Sequence, residues 1–297
     1  MLGGGFLAEG DAVKRLLLLL DTDPTPNVYD IFVGYDGGAD HVVSYGGIRP
    51  GNVGALIDGA IFTRGPDEKK HTAVFIGGAN MAAGEELLTA VTKHFFGSFR
   101  VSVMLDSNGS NTTAAAAVAQ IAKAVPLAGK KAVILAGTGP VGLRAAGLFV
   151  KEGAQVSLTS RDKQRAEAAC RLIEARFGRS PIPLEAIDND ARGAAIRGAD
   201  IVFATGAIGI ELLEERHWRD EWTIELIADC NAQPPLGIGG IEATDKGKTR
   251  QQKLAFGALG IGGLKLKLHR SCIAQLFQSP DQVLDAEEIY ALAKTMV

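Results

Sequence analysis

Three glycines, Gly137, Gly139 and Gly142, form the most chemically suggestive pattern in this chain. They fit G-x-G-x-x-G, in which the first glycine permits a tight turn, the second lets a pyrophosphate approach the backbone and the third lets a helix pack closely. Glycine is common here, 37 of 297 residues, so the triplet counts only through its surroundings. Lys131–Ala136 is a short apolar run with strand character, Val141–Val150 follows at helical spacing, and Gln155–Thr159 resumes a strand. The pattern predicts a βαβ unit in which Gly137, Thr138, Gly139, Pro140, Val141 and Gly142 set the phosphates of a dinucleotide on a helix N-terminus.

The choice of dinucleotide depends on the end of the second strand. NAD is recognised there by an acidic residue about 20 positions past the glycines, whereas this chain carries Ser160, Arg161, Asp162 and Lys163. A serine hydroxyl, a guanidinium fork and an ammonium suit the 2′-phosphate of NADP. Asp162 argues for NAD if it, rather than Ser160, holds the strand-end position. NADP is the expected cofactor.

In open parallel sheets ligands bind beyond the carboxyl ends of the strands. The loops expected there are polar and glycine-rich: DTDPTPN at 21–27, GGANM at 77–81, DSNGSNTT at 106–113, TGAIG at 205–209 and DCNAQPP at 229–235. Thr205, Gly206 and Ala207 are expected along the cofactor, and Asn231 beside the nicotinamide, although Asx and glycine turns account for the same compositions. Asp21, Asp23 and Asp106 are the acidic candidates on the substrate side. Lys265 and Lys267 stand two apart on one helix and so point in different directions, which brings at most one of them to a site; a lysine in an apolar helix otherwise snorkels. There is no G-x-S-x-G elbow and no Cys/His signature, and the five histidines show no ligand spacing. No metal is expected. Hydride transfer is the economical chemistry, because it needs mainly placement of the donor carbon and exclusion of water.

These residues require a scaffold of alternating elements. Strands are expected at Leu16–Leu20, Thr72–Ile76, Val101–Leu105, Ile182–Ile187, Asp200–Ala204, Thr223–Ala228 and Leu254–Phe256, and helices at Glu85–Phe96, Thr112–Val125 and Gly263–Phe277. Such alternation predicts an α/β protein of two domains with a cleft between them. The expected parts are a smaller α/β substrate domain over 1–125, a Rossmann-type doubly wound parallel sheet over 126–262, and a C-terminal helix in 263–297 returning to the first domain. The boundary is placed at Pro126, with 107–113 as the other candidate hinge.

Composition narrows the function classes. A chain of 297 residues with 46% hydrophobic residues and a formal charge of −3 reads as an ordinary globular protein with no basic stripe for nucleic acid. Cys170, Cys230 and Cys272 are too few and too scattered for a disulfide framework or a zinc site, which points to a reducing, cytoplasmic setting. The five leucines at 16–20 are too short a run for a membrane span or signal peptide, and residues 1–11 read as a frayed tail.

Longer blocks carry a resemblance. GYDGGADH at 34–41, DSNGSNTTAAA at 106–116, LAGTGPVG at 135–142, NAQPPLGIGGI at 231–241 and FGALGIGGLKLKLHR at 256–270 make the chain, from Leu16 onward, similar to the NADP-dependent methylene-tetrahydromethanopterin dehydrogenases of methylotrophic bacteria. The resemblance implies oxidation of methylene-tetrahydromethanopterin, and of methylene-tetrahydrofolate, to the methenyl form with NADP accepting hydride. It implies substrate positioning by Lys265, with Lys267 the alternative, and stabilisation of developing positive charge by Asp23 or Asp106. It also implies a homo-oligomer built on trimers. The first-domain lysine motif of the related folate dehydrogenase-cyclohydrolases is not recognisable here. The rival readings are a dehydrogenase of another small substrate, like those of shikimate or amino acids, and a non-catalytic protein that binds NADP or pterin.

Overall fold

The computed structural model describes residues 13–297, so the tail expected over 1–11 lies outside the described residues. In chain order the elements are β1 (Leu16–Asp21), α1 (Val28–Asp36), β2 (His41–Tyr45), α2 (Gly54–Phe62), β3 (Thr72–Gly77), α3 (Met81–Lys93), β4 (Ser102–Leu105), α4 (Ser110–Ala124), β5 (Lys131–Leu135), α5 (Pro140–Lys151), β6 (Gln155–Ser160), α6 (Lys163–Phe177), β7 (Ile182–Glu185), α7 (Asn189–Ala195), β8 (Ile201–Ala204), α8 (Glu215–Trp218), β9 (Leu226–Asp229), β10 (Lys246–Arg250), β11 (Lys253–Phe256), α9 (Ala258–Leu276), β12 (Val283–Leu284) and α10 (Ala286–Thr295). No helix among the described residues is long and apolar enough to cross a membrane.

Two compact units result. The first takes in the chain up to Ser107 together with Arg270–Leu284, and the second Asn108–His269 together with Asp285–Val297. The units therefore part at Ser107/Asn108, within the second candidate hinge, rather than at Pro126. The reason is packing. The alanines at 114–117 and Ala119 of α4 are buried, and α4 lies against α5 and α10, all within the second unit. Pro126 ends a helix without ending the unit. The C-terminal segment is likewise shared: it holds α9, β12 and α10 rather than a single helix, and α10 counts with the second unit.

The first unit is built on a five-stranded sheet in the order β12-β4-β3-β1-β2, with every pairing parallel. All six residues of β3 and all four of β4 are buried, as parallel strands covered on both faces require. β2 is an exposed edge. The second unit has a seven-stranded sheet, β10-β11-β9-β8-β5-β6-β7, parallel except for the β10–β11 hairpin. Read from β7 this is the doubly wound dinucleotide order, with the chain reversing direction across the β5–β8 neighbours. Fully buried Val202, Ala204, Leu213, Trp218 and Ile227 form part of its core.

Candidate functional site

The glycine turn lies between β5 and α5, at the carboxyl edge of the central strand of the second unit. It is tied to β6 by the Gly137 N–H donating to the Thr159 carbonyl at 3.0 Å and the Ala136 N–H donating to the Thr159 hydroxyl at 3.0 Å. A Cβ added to Gly137 would lie 2.7 Å from the Leu158 Cγ, and one added to Gly142 only 2.6 Å from the Gly137 Cα, whereas a Cβ on Gly139 would meet nothing within 4 Å. The first and third glycines are thus fixed by packing, and the second faces open space. Gly139 is the N-cap of α5 and Pro140 its first helical residue, where a proline removes no helical hydrogen bond. Thr138, Pro140 and Val141 are half-buried beside it. Backbone N–H groups at a helix start that leave room above the middle glycine suit a pyrophosphate, so the residues present fit a dinucleotide.

The strand-end position belongs to Ser160, the last residue of β6. Its hydroxyl accepts the Asp162 N–H at 3.2 Å. Asp162 is the N-cap of α6, its carboxylate accepting the N–H groups of Gln164 at 2.8 Å and Arg165 at 3.2 Å. Asp162 thus lies past the strand end, which Ser160 holds, and that answers the argument for NAD. A cavity opens here, lined by residues that include Ala136, Thr138, Ser160, Arg161, Arg165 and Arg192. Of the expected cofactor residues it brings together Thr138, Ser160, Arg161 and Ala207; Lys163 is exposed and does not line it. Helix phase explains the difference, because Lys163 and Arg165 stand two apart on α6 and so leave the axis in different directions.

Arg165 and Arg192 were not among the residues expected from sequence. Arg192 lies on α7 and is 8% exposed, its guanidinium donating to the carbonyls of Leu212 at 3.2 Å and Ile187 at 3.4 Å. Burial lowers its pKa; Asp188 opposes that and the like charge of Arg161 adds to it. Its sequence distance from Arg161 hides their proximity. For Arg165 the signal was its place in the first turn of α6, close in sequence to the basic residues Arg161 and Lys163.

Beyond β8, Thr205 donates its hydroxyl to the Leu135 carbonyl at 3.1 Å, which joins the ends of β5 and β8. A Cβ on Gly206 would lie 2.6 Å from the Leu212 Cδ1. Beyond β9, Asn231 is 3% exposed and shapes its own loop, its amide donating to the Pro235 carbonyl at 3.1 Å and its side-chain oxygen accepting the Gln233 N–H at 3.0 Å. Asp229, also missed, organises this loop by accepting the N–H groups of Asn231 at 2.9 Å and Ile238 at 3.2 Å. Burial pushes its carboxyl up to about 6, against the pull of those N–H groups.

Lys265 is half-buried on α9 and Lys267 exposed. The Lys265 Nζ lies 3.6 Å from where a Cβ on Gly109 would stand. Gly109 and Asn108 both adopt left-handed backbone, with φ of 58° and 56°, a conformation that glycine and asparagine tolerate best. Within the first unit, Asp106 follows β4 and is fully buried, its N–H donating to the Ile76 carbonyl at 3.1 Å. Asp23 is half-buried, and its carboxylate accepts the Ala79 N–H at 2.9 Å, bracing the loops after β1 and β3. Asp21 braces the same turn by accepting the N–H groups of Asp23 and Asn27, and burial raises its pKa.

A family model described as methylene-tetrahydromethanopterin dehydrogenase, N-terminal, matches residues 28–108. The chain is 60% identical over 285 residues to bifunctional protein MdtA of Methylorubrum extorquens, covering 95% of this chain and 99% of that one. It is 31% identical over 278 residues to the NAD(P)-dependent methylenetetrahydromethanopterin dehydrogenase of the same organism, covering 89% and 93%. Among solved structures, quinate dehydrogenase from Corynebacterium glutamicum in complex with NAD superposes with a TM-score of 0.54 at 15% identity, covering 94% and 98%. That last likeness is one of fold.

Proposed function

The chain belongs to the methylene-tetrahydromethanopterin dehydrogenase family, and from that premise we propose that it transfers hydride from methylene-tetrahydromethanopterin to NADP, giving the methenyl form, and acts on methylene-tetrahydrofolate in the same way. The observation that carries the reading is the 31% identity along 89% of the chain to a relative whose name states the activity.

When bound, NADP supplies the hydride acceptor. The protein binds, orients and excludes water. Gly139 would receive the pyrophosphate at the start of α5, in a turn kept tight by Gly137 and Gly142, while Ser160 and Arg161 would hold the 2′-phosphate, with Lys163 adding only distant charge. Thr205, Gly206 and Ala207 line the path of the dinucleotide, and Asn231, fixed by Asp229, bounds its nicotinamide end. The methylene carbon of the substrate lies between two nitrogens whose lone pairs stabilise the cation left by hydride loss. No side chain therefore has to remove a proton. Lys265 positions the pterin, and Asp23 and Asp106 favour the developing positive charge electrostatically. The protein works in the cytoplasm as a homo-oligomer built on trimers, which light scattering reads directly.

Initial rates of NADPH formation from the two methylene substrates, each with NADP and with NAD, test the reading. An NADP-dependent rate with methylene-tetrahydromethanopterin is the expected result; no rate with any combination overturns it.

A further inference from the structure

Arg192 has no place in the reading so far, yet its setting is unusual. Three guanidiniums, those of Arg161, Arg165 and Arg192, line the cavity at the end of β6 against a single carboxylate, that of Asp162. One oxygen of that carboxylate accepts the N–H groups of Gln164 and Arg165, which holds it at the start of α6 and leaves one acid against three cations. Arg161 and Arg165 are exposed, so water screens them and they can swing away. Arg192 can do neither: it is 8% exposed and held between the carbonyls of Leu212 and Ile187. These neutral acceptors fix the guanidinium plane but do not offset its charge. Asp188, which acts on it electrostatically, caps α7 by accepting the Ala191 N–H at 2.8 Å. A buried cation is costly unless an opposite charge compensates it.

We propose that Arg192 is a specificity-determining residue, a fixed buried cation that makes this cavity accept the 2′-phosphate of NADP and reject the bare 2′-hydroxyl of NAD. This rests on the cavity being the adenosine pocket of the cofactor. A dianion beside Arg192 supplies the missing charge, and because the guanidinium is already oriented, little side-chain freedom is lost on binding. A hydroxyl leaves the buried charge only partly compensated, by Asp188. Arg161 and Arg165 add affinity for the 2′-phosphate; Arg192, being buried and fixed, also penalises its absence.

Calorimetric titration of the full chain with adenosine 2′,5′-bisphosphate and with adenosine 5′-diphosphate tests this without turnover. The unsubstituted protein should bind the first more tightly. Arg192→Gln should weaken the 2′,5′-bisphosphate by roughly ten- to hundred-fold, the worth of one charge-assisted hydrogen bond, and leave the 5′-diphosphate unchanged. Equal loss for both ligands, or no loss, overturns the role of Arg192. If the unsubstituted protein does not distinguish the two ligands, the adenosine-pocket reading fails, and the role of Arg192 with it. A second measurement does not depend on the Gln variant folding. In the unsubstituted protein, the arginine Nε–H NMR signal that Arg192→Lys removes should shift with the 2′,5′-bisphosphate and stay with the 5′-diphosphate; a signal that moves with both or with neither overturns the proposal.

Discussion

Arg161 and Asp162 are neighbours with opposite assignments, and each assignment has a measurable consequence. Asp162 is bound to the start of α6, while Arg161 is an exposed cation of the cavity directly after the strand end. Arg161→Ala should raise KM for NADP by roughly ten-fold or more, as loss of a charge-assisted phosphate contact does, and change KM for NAD little; an unchanged ratio of the two contradicts the NADP assignment. Lys265→Ala should lower kcat/KM for the pterin while leaving NADP affinity intact, and weaker NADP binding would place the lysine's role with the cofactor instead. Asp229 gives a pH signature. Its folded pKa, about 6, stands above the ordinary 3.8, so burial disfavours the charged form. Its contribution to stability is full below about 3.8 and is lost as pH rises through about 6. Asp229→Asn cannot ionise, and its amide meets one N–H donor badly, which adds a pH-independent offset. The Tm of the variant minus that of the unsubstituted protein should therefore climb between pH 4 and pH 7. A flat difference across that range would show that Asp229 does not titrate there.

At the scale of elements, the second unit is fastened by an ionic cluster at the start of α10. Asp285 caps α10 in a capping box with Glu288 and accepts from Asn111 of α4 at 2.9 Å and from Arg176 of α6 at 2.7 Å. Arg176 also donates to Glu287, and the buried Arg144 of α5 lies 3.7 Å from Asp285. One carboxylate thus connects four helices. Asp285→Ala removes a cap and a partly buried charge-assisted pair, together worth about 3 kcal/mol, and should lower Tm by roughly 6–12 °C. A drop of about one degree would mean that solvent screens the cluster. None of this was visible in sequence, because Asn111, Arg144, Arg176 and Asp285 come from four separate helices. The βαβ turn was legible because all its determinants are local: apolar run, glycine triplet and proline fall within one short stretch. Arg165 was half-legible, in the first turn of α6 beside the basic strand-end cluster, and Arg192 not at all, since α7 reaches the cavity only through the sheet order.

For the whole molecule, the sequence showed the buried parallel strands, whose apolar runs are continuous, and missed the elements defined by distant partners. β2 is exposed along most of its length and has no apolar run to betray it. β12 is only two residues long, held by the parallel pairing of Val283 and Leu284 with Val103 and Met104 and by the Gln282 N–H donating to the Ser102 hydroxyl at 3.1 Å. A helix-breaking proline suggested a boundary at 126, but burial of the α4 alanines outweighs that local signal. The last residues accordingly serve both units: β12 closes the β4 edge of the first sheet, and α10 packs on α4 and α5 in the second. Removing everything after Pro280 should uncover a row of backbone groups on β4 and an alanine face on α4, neither of which has an alternative cover within its unit. Hydrogen exchange should then lose protection in 102–105 and 110–124 while 201–204 and 226–229, fully buried inner strands of the second sheet, keep theirs. If the loss is confined to α4, β12 contributes nothing to the first unit; if all four segments lose protection together, the truncation unfolds the protein globally instead of uncovering only the surfaces the C-terminal segment protects.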